Sequence, residues 1–357
     1  MKTSSLKTVL VVFMFLLFSC NETVVTNIVH PDGSVTRRIE IKDQESKNFD
    51  PETYRVPFDS TWEITDTFEV GEKEDTTWIR RAEKLFKSVE EINETYKNDS
   101  GSNQNFKREA RFRKKFHWFN TIYVFSENIE PVYKYGQPIE QYLTKEELEY
   151  FYLPENILKG RMEGPDSTFV KQIQDSIDTK TEKWLYMSNI SEWKEEFRIL
   201  AEHKEQWNTC NELLKDKDPE IYSFLEISFN QKDNSDIDTV FSETIRGVLG
   251  DELYAAFETE IDSSIKIVEE RFAHAFDFGA YSMQALMPGK LVATNGFIDK
   301  DGLLLWPVKM EYLLTRPYQM WAESKSSNTW AWVVSGVFVG FVALGLILRL
   351  VKKTDTQ

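Results

Sequence analysis

A chain of 357 residues with 41% hydrophobic and 14% aromatic content carries ample material for a folded core, which excludes wholesale disorder. Its formal net charge of −16 argues against nucleic acid as a partner and against broad adhesion to anionic lipid headgroups. Removing Lys2 and Lys7 with a cleaved leader takes that charge to −18.

Residues 1–19 read as a secretory signal, with Lys2 and Lys7 as a basic start and Val9–Phe18 as an unbroken apolar run. It ends in Leu17-Phe18-Ser19-Cys20, which resembles a bacterial lipobox, although Phe18 is bulkier than the usual small residue there. In such lipoproteins the Cys, here Cys20, is acylated and becomes the first mature residue; an uncleaved N-terminal anchor is the alternative. Cys210 is then the one remaining thiol, so no internal disulfide is expected and stability must come from packing.

Residues 20–138 read as a β-rich part. Thr23–Val29 and Val35–Ile41 alternate apolar and polar residues around His30-Pro31-Asp32-Gly33-Ser34, strong hairpin punctuation. Lys42–Ser60 is polar and irregular, and Trp62–Val70 with Thr76–Leu85 form a second pair of strands. Ser88 and Glu91 suggest a capping box opening a short helix to about Lys97. Phe106–Phe125 reads as one long strand. Phe106, Ala110, Phe112, Phe116 and Trp118 share one face, while Lys107, Glu109, Arg111, Arg113, Lys115 and His117 share the other. That basic face is a solvated surface satisfied by nearby carboxylates, or the seat of an anionic ligand or an acidic partner.

From 139 to 278 the period turns helical. Thr144 and Glu147 form a second capping box, and Phe169–Met187, Ile190–Leu213 and Val240–Phe276 carry apolar residues three and four apart. Asp218-Pro219 reads as a helix start, and Trp184, Trp193 and Trp207 as core positions. His203 and Cys210, seven apart, suit one helix face, but two ligands do not make a zinc site. Residues 279–329 return to β punctuation with Met287-Pro288-Gly289, Thr294-Asn295-Gly296 and Asp299-Lys300-Asp301-Gly302. Asn295-Gly296 suggests a tight hairpin with two positive φ angles. Strands are expected at Lys290–Thr294 and Leu303–Val308, and Ala322–Asn328 as a polar approach to a membrane.

The next stretch is WAWVVSGVFVGFVALGLIL, Trp330 to Leu348, without a charge. Nineteen helical residues reach about 28 Å, close to the hydrocarbon thickness of a bilayer. Trp330 and Trp332 suit an interfacial belt, and Arg349, Lys352 and Lys353 place the tail 352–357 in the cytoplasm. The expected span is 330–351, with everything before it extracytoplasmic. Gly336 and Gly340 form a small-xxx-small pair that lets two backbones approach closely in a homodimer; the plain frequency of Gly in membrane helices is the alternative.

Cys20, the Asp32-Gly33-Ser34 hairpin, the Pro288-Gly289, Asn295-Gly296, Asp301-Gly302 and Trp306 run and the terminal helix together resemble the LppM-type family of bacterial membrane-tethered lipoproteins. The likeness covers the two ends of the chain and leaves the helical middle unmatched. It implies a β-rich envelope domain that binds a lipid or glycolipid, and it brings no catalytic residues.

No P-loop, Rossmann fingerprint, HExxH, GxSxG or EF-hand loop is present, and His30, His117, His203 and His274 lie far apart. No catalytic residue, metal or cofactor is therefore assigned. Asp75-Thr76-Thr77, Asp175-Ser176-Ile177 and Asp238-Thr239-Val240 match a short O-glycosylation pattern. The expected fold is α+β, an antiparallel sheet of N- and C-terminal β segments with a helical insertion and one transmembrane helix. The expected role is a non-catalytic envelope lipoprotein, anchored at both ends at the periplasmic face of the inner membrane, that binds a protein partner or lipid-like ligand. A membrane-tethered hydrolase built from dispersed His and carboxylates is the alternative.

Overall fold

A computed structural model describes residues 22–44, 47–49, 56–71, 76–99, 107–131, 134–231, 237–276, 280–299, 302–314 and 316–354. The signal segment and Cys20 lie outside the described residues. The architecture is α+β. N- and C-terminal strands share a sheet, a helical insertion separates them in sequence, and one apolar helix ends the chain.

Strands β1 (Glu22–Val29) and β2 (Val35–Asp43) form the expected hairpin. Gly33 supplies its positive φ of 99°, and Asp32 accepts from the Ser34 amide at 3.0 Å. β3 (Glu63–Val70) and β4 (Thr76–Phe86) extend the same sheet, and β7 (Ala280–Leu286), β10 (Leu304–Val308) and β9 (Phe297–Ile298) complete it. Its order is β3-β4-β2-β1-β7-β10-β9, and β1 meets β7 in parallel, with Thr23 opposite Tyr281 and Ile28 opposite Leu286. Residues 24–41 and Leu304–Val308 thus share a sheet although more than 250 residues separate them.

The long strand expected over Phe106–Phe125 is instead a hairpin in a second sheet. β5 (Arg108–Phe116) turns at His117–Phe119 into β6 (Asn120–Ile129), and the order is β5-β6-β11-β8, with β8 at Lys290–Thr294 and β11 at Tyr318–Ser327. A turn without Gly, Pro or Asp carries no sequence signal. Its backbone closes through His117 N to Asn120 O at 2.8 Å, and its side chains are held from elsewhere in the chain. β11 likewise runs on to Ser327, so the segment read as a polar approach is a strand. The two sheets face each other across one core. Helix α1 (Val89–Lys97) closes an open side by bonding Asn93 to both backbone groups of Ala110, at 2.7 and 2.9 Å.

Other expectations shift locally. Ser88 makes no cap bond; the Glu91 carboxylate accepts from the Lys87 amide instead. Asn295 and Gly296 are not at positive φ, because they cross from one sheet to the other rather than turn a hairpin. Glycine is required at 296 by the Trp306 indole, which a Cβ would meet at 2.5 Å. The Trp306 ring nitrogen donates to Asn295 Oδ1 at 2.9 Å.

The insertion runs from α2 (Lys145–Phe151) and α3 (Glu155–Met162) through α4 (Ser167–Ala201), α5 (Trp207–Leu214), α6 (Asp218–Gln231) and α7 (Ile237–Leu249) to α8 (Asp251–Phe276). α4 is one 35-residue helix where two segments were expected, and it ends before His203. His203 is exposed in the link while Cys210 is buried on α5, so the two do not share a helix face. Trp184 and Trp193 are fully buried and Trp207 packs against the core, as helical spacing indicated. The Thr144–Glu147 capping box forms at the start of α2.

Register fixes where these parts lie. β6 ends at Ile129 and β7 begins at Ala280, so the helical lobe leaves and rejoins the sandwich at one end. Tyr312 seals that junction by donating to the Phe151 carbonyl at 2.7 Å. At the opposite end β11 passes through Asn328 into α9 (Thr329–Thr354). Thr329–Arg349 has a mean hydropathy of 2.4 and is almost wholly outside the core, which makes it a candidate membrane span. β1 starts at the lobe end, since Arg108, at the lobe end of β5, reaches Tyr281, the partner of Thr23. Glu22 is therefore about 30 Å from α9, the length of a ten-residue strand.

Candidate functional site

The sandwich end that meets α9 is built from a sequence with unusual aromatic density. β5 ends on Phe116, the turn presents Trp118 and Phe119, and α9 opens with Trp330 and Trp332. Antiparallel pairing of β6 with β11 places Asn120 opposite Ser327, so the turn stands beside the first residues of α9. Phe116 stacks on Trp330 with the rings 8° apart, Trp118 meets Trp330 edge-on at 5.2 Å, and Phe119 packs on Trp332 at 4.3 Å. The Trp118 indole N–H donates to Ser335 Oγ at 2.8 Å, on the second turn of α9.

Polar bonds lock the same joint. Asn328 donates from Nδ2 to the His117 carbonyl at 2.7 Å and from its amide to the Phe119 carbonyl at 3.0 Å. Its Oδ1 accepts from Thr121 at 2.9 Å. Gly289 lies against the Lys325 carbonyl at a distance that excludes any Cβ, and Ser324 donates to the Pro288 carbonyl at 2.8 Å. These bonds tie the turn at 117–119, the turn at 287–289 and the Asn328 junction into one platform rather than a hinge.

Above the platform, between the sheets, sits a charge cluster that sequence reading passed over. Arg37 on β2 and Arg108 on β5 both reach Glu127 on β6 at 2.7 Å, and all three side chains are almost completely buried. Arg37 also donates to Asn27 at 2.9 Å, and Arg108 to the Tyr281 hydroxyl at 3.0 Å. The Tyr96 ring lies between the two guanidiniums, 5.2 and 4.5 Å from their centres. Burial pulls the Arg108 guanidinium down, but the Glu127 carboxylate together with Tyr281 and Tyr96 outweighs this and holds it above its ordinary value. Burial likewise pushes the Tyr281 phenol up, so it stays a protonated partner. The cluster joins the sheets: two guanidiniums share one carboxylate and are flanked by rings, and the buried Arg37 Nη1 has no hydrogen-bond partner among the described residues. Period-two reading of β5 grouped Ala110 and Phe112 on its inner face, and Arg108 has the same parity; its place there was the available signal.

The structure scatters the residues singled out from the sequence. Trp330 and Trp332 belong to the platform; Arg349 lies at the end of the apolar span, and α9 continues through Lys352 and Lys353. Gly336 and Gly340 face open space, with nothing within 4 Å of an added Cβ. Cys20 lies outside the described residues. His117 is exposed at the hairpin tip, and no group of three or more His, Cys, Asp or Glu placed to hold a metal occurs among the described residues. Thr329–Arg349 is long and apolar enough to cross a membrane and lies almost wholly outside the core. No family model, no curated protein and no solved structure matches the chain.

Proposed function

We propose that this chain is a non-catalytic cell-envelope lipoprotein that holds a protein partner or a lipid-like ligand near the membrane, with its globular region extracytoplasmic. The observation that carries the reading is the rigid joint between Asn328 and the hairpin tip at His117, directly ahead of α9. A tether for a mobile enzyme needs a flexible linker; a joint locked by side chains fixes the distance and attitude of the sandwich above the bilayer. The helical lobe, at the opposite end, is then displayed away from the surface, where a partner meets it. The resemblance to LppM-type lipoproteins supports the same reading; Cys20 is two residues before Glu22, at the end opposite α9, so its acyl chains would reach a facing membrane rather than the leaflet that α9 enters. Gly336 and Gly340, open on α9, are proposed as the contact of a homodimer in the membrane.

The experiment is photo-crosslinking in intact cells from exposed lobe positions, Phe169, Ile199 and Phe224, followed by purification through a C-terminal tag. A discrete crosslinked partner or lipid at lobe positions, absent when the crosslinker is placed in β3, supports the reading. Turnover of an envelope ester or glycoside by the purified protein, abolished by substitution of His117, would replace it with the hydrolase.

A further inference from the structure

The outer face of the second sheet carries a cationic row level with the platform. Register places Lys115 of β5 opposite Ile122 of β6, Ile122 opposite Lys325 of β11, and Lys325 opposite Lys290 of β8. Residues paired in this way point to the same face, and Thr121 and Tyr123, the neighbours of Ile122, point into the core. Three exposed lysines therefore stand in one line across four adjacent strands, with an aliphatic side chain among them. Arg113 is exposed beside the line. Arg111, one row further up, is bridged to Glu109, whereas Lys115, Lys290 and Lys325 form no ion pair among the described residues. The carboxylate nearest by register is Glu323, one row away across Val124 from Arg113.

Like charges opposite one another on a sheet repel, so such a row is a cost to the fold unless something anionic lies against it. Its position says what does. Lys325 precedes Thr329 by four residues, about 13 Å along a strand. With Trp330 and Trp332 at the edge of the hydrocarbon, the headgroup layer reaches roughly 6 Å towards the sandwich. A lysine side chain is long enough to span the remainder when it is directed towards α9. The row is continuous with the aromatic platform and occurs in a chain whose net charge is −16.

We infer that Lys115, Lys290 and Lys325 bind the phosphate groups of anionic phospholipids in the leaflet that α9 enters. This rests on α9 spanning the bilayer and adds to it a headgroup contact that sets the rotation of the sandwich about the helix. The acidic remainder of the surface is repelled by the same leaflet, so the two fields act together to orient the molecule.

The test uses the full chain in nanodiscs that contain either a photoreactive phosphatidylglycerol or a photoreactive phosphatidylcholine, with crosslinked peptides mapped by mass spectrometry. The glycerol lipid should label segments around Lys115, Lys290 and Lys325, and the triple variant Lys115→Gln/Lys290→Gln/Lys325→Gln should lower that yield by roughly five-fold or more. The corresponding triple Arg variant should retain it, and wild-type yield should fall as NaCl rises from about 0.05 to about 0.5 M. Equal labelling by both lipids, or labelling indifferent to salt, overturns the inference whether or not the Gln variant folds. Failure of the wild-type chain to enter nanodiscs at all would instead remove the spanning helix on which the reading depends.

Discussion

The side-chain amide of Asn328 donates to the carbonyl of His117 at 2.7 Å, across 211 positions of sequence. One residue thereby ties the hairpin tip to the start of α9, and it also accepts from the buried Thr121. Replacing Asn328 with Ala leaves the Thr121 hydroxyl without its acceptor and removes the Nδ2 donor from the His117 and Trp118 carbonyls, while the backbone bond to Phe119 stays, a loss of about 1–3 kcal/mol. Faster amide exchange at the hairpin tip, with the helical lobe unchanged, is the expected result. Unchanged exchange at Asn120–Tyr123 would mean that the joint is not held by this residue.

The buried cluster makes a sharper stability claim. Glu127→Ala strands two guanidiniums in the core, and removing one partner of a buried ion pair costs about 3–5 kcal/mol. Glu195→Ala, which removes an exposed partner of Arg198, should cost at most about 0.5 kcal/mol. Denaturant unfolding of the two variants checks the order, and similar midpoints would show that Glu127 is not carrying the inter-sheet contact.

Acid should loosen the lobe through Glu147. Burial raises this carboxyl, but hydrogen bonds from Lys180, Thr144 and Ser176 outweigh it and bring it down to about 2, from 4.5. A depressed acid contributes stability that is complete above its unfolded value and is lost as pH falls from there through about 2. Wild type should therefore exceed Glu147→Gln most at neutral pH, by up to about 3 kcal/mol, with the gap closing below about pH 4. A gap independent of pH would show that the carboxylate's charge is not what the cap uses.

Much of this was legible in the sequence, and the misses share a cause. Hairpin β1–β2 follows from Asp32-Gly33, and α2 from Thr144 and Glu147, because both signals are local. The break of Phe106–Phe125 at His117 was not legible, since Asn328 and Ser335 enforce it from more than 200 residues away. Arg108 was hidden in the same way: its partner Glu127 is on the next strand and Arg37 on the other sheet. Gly296 gave a correct alarm for the wrong reason, being small to admit Trp306 rather than free to turn. Trp330 and Trp332 suit an interfacial belt by position, yet their partners Phe116, Trp118 and Phe119 make them the base of the platform as well.

Topology and lipidation give a separable prediction. Cys20→Ala should abolish acylation and leave the chain in the membrane fraction, because α9 suffices. Release into the soluble fraction would show that Thr329–Arg349 does not span. A C-terminal tag should resist external protease while the lobe is digested after outer-membrane permeabilisation; a digested tag would reverse the orientation drawn from Arg349, Lys352 and Lys353.

The central claim is that the hairpin tip rides on α9 inside the membrane interface. Placing a photoreactive phenylalanine analogue at Trp118, in the full chain in native membranes, tests it most directly. The indole of Trp118 reaches Ser335, so irradiation should give an intramolecular crosslink mapping to the first two turns of α9. Crosslinks to other proteins or to lipid alone, with none into residues 329–336, would contradict it.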